Sequence, residues 1–433
     1  MSHSKILIIG AGAAGLMAGR ELSEAGNKVT ILEARERSGG RIFDLEEEKF
    51  PSPVMLGAEF VHGKLPLTLS LLKEAGIHFF PVEGKSVKLA KGRLISGVQG
   101  EEAWPVLIDK MKALRDDLSL TDFMDAHFPE EDFIEFRKAV FDFARGFDAA
   151  DPDKVSAQAL LKEWELDEEE QYRLDGGYRR LIEFLENECS CFDCTIHYHA
   201  EVTEVNWHRG FVDVLTTEGT RYTGDKIIIT VPVGVLQLPD DARGAISFHP
   251  PLPQIKEAVR NMGFGGVVKV VLHFNDPFWE SAAGTDAGFI FSDQAFPTWW
   301  LQLPRRIPVI TGWLGGPDTD RYTEGSEERI LADALQSLSH IFNIDIDELN
   351  GRLVAWKVCN WSQQAFSRGA YSYPTVAVPQ ASHILSDPIE DTLYFAGEAV
   401  YEGPYGGTVE AALVSGRGIL NRKTHDSETL VNA

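Results

Sequence analysis

The chain has 433 residues, 44% of them hydrophobic, with 66 acidic against 41 basic side chains and a formal charge of −25. That length allows two domains or one composite domain with a large core. The acidic balance argues against nucleic acid as the main partner, because phosphates need basic surface; it suits steering of a cationic small molecule, and equally plain solubility.

No apolar run reaches the roughly 18 residues of a membrane span. The opening MSHSKILIIG lacks the basic, apolar and small-residue regions of a signal peptide. A soluble, cytoplasmic protein is expected. Residues 5–10, KILIIG, predict a buried parallel strand. Gly10, Gly12 and Gly15 follow in G-x-G-x-x-G spacing, with Ala14 inside the loop. A helical stretch and a second strand, KVTILEA, then lead to Glu33. Strand, glycine loop, helix, strand and acid in register predict a dinucleotide site. Gly10 permits the tight turn, Gly12 lets backbone approach a pyrophosphate, Gly15 lets helix and strand pack, and Glu33 grips a ribose hydroxyl. The helix N-terminus faces the phosphates. The spacing does not choose between NAD and FAD, and an acid at 33 disfavours a phosphorylated ribose. Arg41 is either a charge-assisted clamp for a pyrophosphate or part of an ordinary basic loop.

Farther along, GAEFVHG (57–63) holds His62, a lone histidine and by itself more often structural. Residues 64–170 read as helical and charge-rich, with amphipathic stretches at FMDAHFPEEDFIEF and ALLKEWELDEEE. Cys189, Cys191 and Cys194, followed by His197 and His199, match no closed zinc pattern, so no metal is expected and the thiols read as reduced loop residues. VVKVVLHF (267–274) is a buried strand apart from Lys269. That lysine lies on an edge strand facing water, snorkels from a half-buried face, or points inward at something that needs it. In NWSQQAFSRGAYSYP (360–374), Trp361, Phe366 and Tyr371 read as core or as an aromatic cage. Finally TLYFAGEAVYEGPYGGTVEAALVSGRGIL predicts a strand, a glycine-rich loop and a helix starting near Thr408, a second helix N-terminus aimed at a ligand or an ordinary surface unit.

Both ends resemble the flavin amine oxidase family. The run Glu33-Ala34-Arg35 through Arg37 to Gly40-Arg41 is similar to the family's second FAD segment, and Gly397-Glu398 with Gly407-Thr408-Val409 to its C-terminal FAD motif. LDGGYRRLIEFL (174–185), EVTEVNW (201–207) and KIIITVPVGVL (226–236) extend the match across most of the chain. The resemblance implies that Val202 meets the adenine, that Gly57, Ala58 and Glu59 pass by the flavin ring, and that Trp361 lies near the cofactor. It further implies catalytic roles for Lys269, holding a water against flavin N5, for His62 facing the substrate, and for Tyr371 as the aromatic wall. A desolvated Lys269 would be a near-neutral amine able to shuttle protons.

Departures narrow the branch. Ala370 stands where monoamine oxidases carry the cysteine that bonds FAD, so FAD is expected to be non-covalent. Thr408 stands where they carry a second cage tyrosine. The polar tail NRKTHDSETLVNA lacks their hydrophobic anchor, no coiled-coil tower is inserted, and no arginine near 57–63 waits for a carboxylate. The expectation is an FAD-dependent amine oxidase nearest the polyamine oxidases and lysine demethylases. It would pass hydride from a (poly)amine to flavin N5 and yield imine, aldehyde and hydrogen peroxide, as a monomer or homodimer with no nucleic acid or membrane partner. The alternatives are a desaturase or oxidase of an apolar substrate of carotenoid or porphyrinogen type, and a non-catalytic flavin-binding protein. The expected fold is α/β: a discontinuous Rossmann-type FAD-binding domain from 1–63, 190–245 and 390–433, and a mixed-sheet and helical substrate-binding domain from 64–189 and 246–389.

Overall fold

A computed structural model describes residues 3–90, 93–96, 103–165, 170–378, 380–419 and 422. The polar tail at 423–433 and the acidic run at 166–169 lie outside the described residues.

Lys5–Ile9 forms the centre of a five-stranded parallel sheet. Its neighbours come from the whole length of the chain: Cys194–His197, Lys28–Leu32, then Lys226–Ile229 and Leu393–Phe395 on the other side. Continuous apolar runs suit this position, because a parallel strand covered on both faces needs no polar alternation. One face packs against the helices Ala13–Glu24, Arg179–Ser190 and Val409–Gly416. Cys189 and Cys194 flank Gly19 of the first of these helices, and Cys191 is exposed. The other face carries Leu7, Ile9 and Leu32 into a core shared with the four-stranded sheet that holds Val202–His208. This is the α/β architecture expected.

A seven-stranded sheet makes the second half, in the order 353–360, 267–274, 309–315, 298–301, 287–291, 85–90 and 93–96. Side chains alternate across a strand. In Val267–Phe274 that sends Val268, Val270 and Leu272 into a core with the helix Glu327–Phe342. Val267, Lys269 and Val271 therefore face the opposite way, and Val267 and Val271 pack with Val54, Leu56 and Trp361.

The structure corrects the reading of 64–170 as helical. Helices Trp104–Lys112, Leu120–His127, Glu130–Gly146 and Ala157–Trp164 are present and share their own core. The hairpin of Lys85–Ala90 and Arg93–Ser96, however, extends the seven-stranded sheet by pairing with Ala287–Phe291. Phe79–Pro81 pairs with Gln171–Leu174, which also takes Phe60–His62. These strands are three to six residues long, and their partners lie far along the chain, so local periodicity carries little of the signal. Ser247–His249 pairs with Val202–His208, so that sheet crosses residue 245, where a domain boundary was expected.

Candidate active site

One cavity of 2330 Å³ runs between the two sheets. At one end stands the glycine loop. The helix Ala13–Glu24 begins at Gly12, which offers no side-chain cap, and no described residue lies within 4 Å of where a Gly12 Cβ would be. The first amides of this helix thus open onto the cavity with room for an anion. Glu33, buried, accepts from the Ala11 amide (2.8 Å) and the Arg35 amide (2.9 Å). Gly15 lies behind the lining, where a Cβ would come within 2.0 Å of the Gly10 carbonyl oxygen. Gly10, Gly12, Ala14, Glu33, Ala34, Arg35, Gly40, Arg41 and Val202 all line this end.

The C-terminal segment closes the same space. Gly397, Glu398, Gly407, Thr408 and Val409 are in the wall. Thr408 caps its helix, its Oγ1 accepting from the Ala411 amide at 3.2 Å. Glu398 accepts from Arg41 Nη1 (2.8 Å) and Ser372 Oγ (2.6 Å), and Arg41 also donates to the Ala370 carbonyl (2.6 Å). Glu410, buried, accepts from the amides of Leu67 and Thr68 (2.9 and 2.7 Å), tying this helix to the start of Pro66–Glu74. An open helix N-terminus, a buried acid at the second strand end and a second glycine loop opposite fit a dinucleotide.

Lys269 sits between the two halves. Its strand is paired on both sides, by Val309–Gly315 and Leu353–Asn360, and the residue is 1% exposed. It neither edges the sheet nor snorkels. Nor is it the solitary desolvated amine anticipated. Its Nζ donates to Glu59 Oε2 (2.7 Å) and to the Gly57 carbonyl (3.2 Å). Glu59 Oε1 accepts from Arg173 Nη1 and from Trp300 Nε1 (2.9 Å). Arg173 also donates to the Leu301 carbonyl (2.7 Å) and to Gln302 Oε1 (3.0 Å). Burial pushes the Glu59 carboxyl up, but Lys269 and Arg173 outweigh it and hold the group below its ordinary range. Glu59, expected beside a cofactor, thus spends both oxygens on protein donors while still lining the cavity. Gly57 lets this turn pass, since a Cβ there would meet the Arg41 carbonyl at 2.0 Å. Ala58 lines the cavity alongside it, and Trp361 fixes the turn from behind by donating to the Leu56 carbonyl (3.0 Å).

His62 and Tyr371 meet through Phe147. Tyr371 Oη donates to the Phe147 carbonyl at 2.5 Å, and the Phe147 ring meets His62 edge-on at 5.3 Å. Among the described residues His62 Nδ1 has no hydrogen-bond partner, and burial pushes its pKa down to about 4, so the ring is neutral near pH 7. The next residue, Asp148, is buried and faces the same cavity beside Glu163. Trp164 Nε1 donates to Asp148 Oδ2 (3.3 Å), while no described residue donates to Oδ1. Two carboxyls set together can bond only through a proton held by one of them. Burial and each other's charge push Asp148 well up, and burial pushes Glu163 up to about 7. Sequence reasoning missed Asp148, Glu163, Arg173 and Trp300. Two of them lie in ordinary-looking helical or loop text, and only the paired tryptophans at 299–300 hinted at an aromatic wall.

A sequence model of the flavin containing amine oxidoreductase family matches residues 13–418. The chain belongs to that family. Lysine-specific histone demethylase 1 homolog 3 of Arabidopsis thaliana is 27% identical over 96% of this chain, which spans only 30% of that relative's length. Probable polyamine oxidase 4 of the same plant is 27% identical over 91% of this chain and 82% of its own. Among solved structures, a triple mutant of putrescine oxidase superposes with a TM-score of 0.81 at 20% identity, covering 100% of this chain and 99% of that one, which shows a shared fold.

Proposed function

We propose that the protein is an FAD-dependent amine oxidase that binds FAD without a covalent bond and acts on an amine bearing a second cationic nitrogen, in the manner of a polyamine. The observation that carries this reading is the continuity of the cavity from the glycine cradle, past Lys269, to the Asp148–Glu163 pair. Gly12, Glu33, Arg41 and the loop before Val409 would hold the dinucleotide. Bound FAD would supply the hydride acceptor for the C–H beside the amine and would pass the electrons to oxygen, giving hydrogen peroxide.

The protein's own groups position and exclude. Tyr371, its hydroxyl anchored on Phe147, presents a ring face to the amine carbon side. His62 Nδ1, neutral and unpartnered, accepts an N–H from the reacting amine and so favours its uncharged form. The carboxyl pair takes the distant ammonium, which replaces the shared proton and satisfies Asp148 Oδ1. The polyamine oxidase among the relatives and the putrescine oxidase fold support this substrate class. An apolar substrate would have to cover the same carboxyls with hydrocarbon, at high cost.

The test is anaerobic. Purified protein under argon receives polyamines, acetylated polyamines, aromatic monoamines and amino acids while the visible flavin absorbance is followed. Bleaching by diamines or polyamines, restored on admitting air, is the expected result. Bound flavin that no amine bleaches would overturn the reading.

A further inference from the structure

Lys269 is buried in a setting that a merely structural lysine would not need. An ammonium has three N–H groups. Two of them go to Glu59 Oε2 and the Gly57 carbonyl, and the third is left for the cavity that Lys269 lines. Behind it, Glu59 is gripped by Arg173 and Trp300, and the Lys269 Nζ stands 5.2 Å from the Trp300 ring centroid. Lys269 and Glu59 are 1% and 5% exposed, Arg173 4%. Two cations and one anion leave one net positive charge, fixed by a rigid set of donors from four separate strands and turns.

We propose that Glu59 is a positioning residue that keeps Lys269 a fixed cation with one N–H directed into the cavity, and that Arg173 and Trp300 hold Glu59 for that task. The proposal rests on the reading of the cavity as a flavin site. Its consequence is that Lys269 acts on the flavin as a standing charge and hydrogen-bond donor, which favours the reduced, anionic ring. It does not act as the proton shuttle that an isolated buried amine would be.

Among the described residues, four charged or titratable groups face this lysine from the elements packed around it. They are Glu59 on its turn, Arg173 on Gln171–Leu174, Asp44 on the short strand Asp44–Leu45, and Cys359 on Leu353–Asn360. Burial lifts Asp44 to about 6 and Cys359 to about 12. Neither titrates in between, and the Asp148–Glu163 pair of the same cavity is common to wild type and variant, so an ionisation at moderately alkaline pH that appears only in a Glu59 variant reports on Lys269.

The experiment measures the midpoint potential of the bound FAD against pH, reducing it photochemically so that no amine is required. Wild type sets the baseline between about pH 7 and 9, including the ionisations of the Asp148–Glu163 pair, and is expected to show no inflection there that depends on Lys269. Glu59→Gln leaves Lys269 buried beside Arg173 with no counter-ion, so an inflection should appear in that window. It should vanish again in Glu59→Gln combined with Lys269→Met. Glu59→Gln with flavin bound and a profile like wild type overturns the proposal, as does an inflection that survives loss of the lysine. Should Glu59→Gln not fold, Arg173→Gln carries the test. Glu59 then pairs with Lys269 alone, so the profile must stay free of the inflection, and an inflection there is the contrary result. Because reduction is photochemical, the profile can fail while amines still bleach the flavin, and amines can fail while the profile holds. Protein without flavin would overturn the cofactor reading and this proposal with it.

Discussion

The two ends of the cavity are built by opposite strategies. The glycine loop from Gly10 to Gly15 makes its geometry from six consecutive residues, backbone amides and missing side chains. The wall around Lys269 is made of long charged and aromatic side chains from positions 57–62, 147–148, 163–164, 173, 269 and 300, none of which is informative alone. A backbone device tolerates no added atom at its packed positions, Gly10 and Gly15. A side-chain device tolerates reshaping but not the loss of one charge.

Substitutions separate the two strategies. The largest effect belongs to the side-chain end. Glu59→Leu strands Lys269 and Arg173 as buried cations without a counter-charge, and should cost about 3–5 kcal/mol in denaturant unfolding; a loss below about 1 kcal/mol would mean water reaches the pair. At the backbone end, Gly15→Ala puts a methyl against a carbonyl that cannot swing away. A loss of about 1–3 kcal/mol is expected, together with a smaller rise in Tm on adding FAD than wild type shows, and an unchanged Tm would mean that the loop gives way.

The carboxyl pair tests the side-chain end by pH. Both acids hold a proton more tightly in the folded chain than unfolded. Stability is therefore full below the ordinary carboxylate range and is lost as pH rises through about 7. Asp44, lifted to about 6, slopes the same way. The comparison is thus wild type against Glu163→Gln, which should flatten the fall between pH 5 and 8 by about 2 kcal/mol; parallel curves would show that the pair does not share a proton. The smallest effect is expected for Tyr371→Phe. It removes one hydrogen bond to the Phe147 carbonyl and about 1 kcal/mol, readable in unfolding, and identical curves would show that water replaces the hydroxyl.

Legibility follows the same division. The parallel sheet, its helix and the α/β class could be read because KILIIG and G-x-G-x-x-G combine hydrophobic period and turn chemistry over a short span. The strand around Lys269 could be read as buried, but its partner could not. Glu59 looks like any acid in GAEFVHG, and Arg173 lies 114 residues away. The strands Lys85–Ala90 and Arg93–Ser96 were hidden for a related reason, since their value comes from pairing of the first with Ala287–Phe291. Asp148 gave no signal because a buried acid and a surface acid are spelled alike. Only the neighbourhood of Trp164 and Glu163 distinguishes them.

The stitch among Arg41, Ser372 and Glu398 also has a meaning in time. The outermost strand of the parallel sheet, Leu393–Phe395, and the acid that follows it are among the last described parts of the chain to be made. A ribosome that has released the glycine loop has therefore released only half of a cradle, and some 350 further residues must emerge before Arg41 meets its carboxylate. Until then the nascent sheet carries an open edge, and the cavity beside the first glycine loop lacks its second wall.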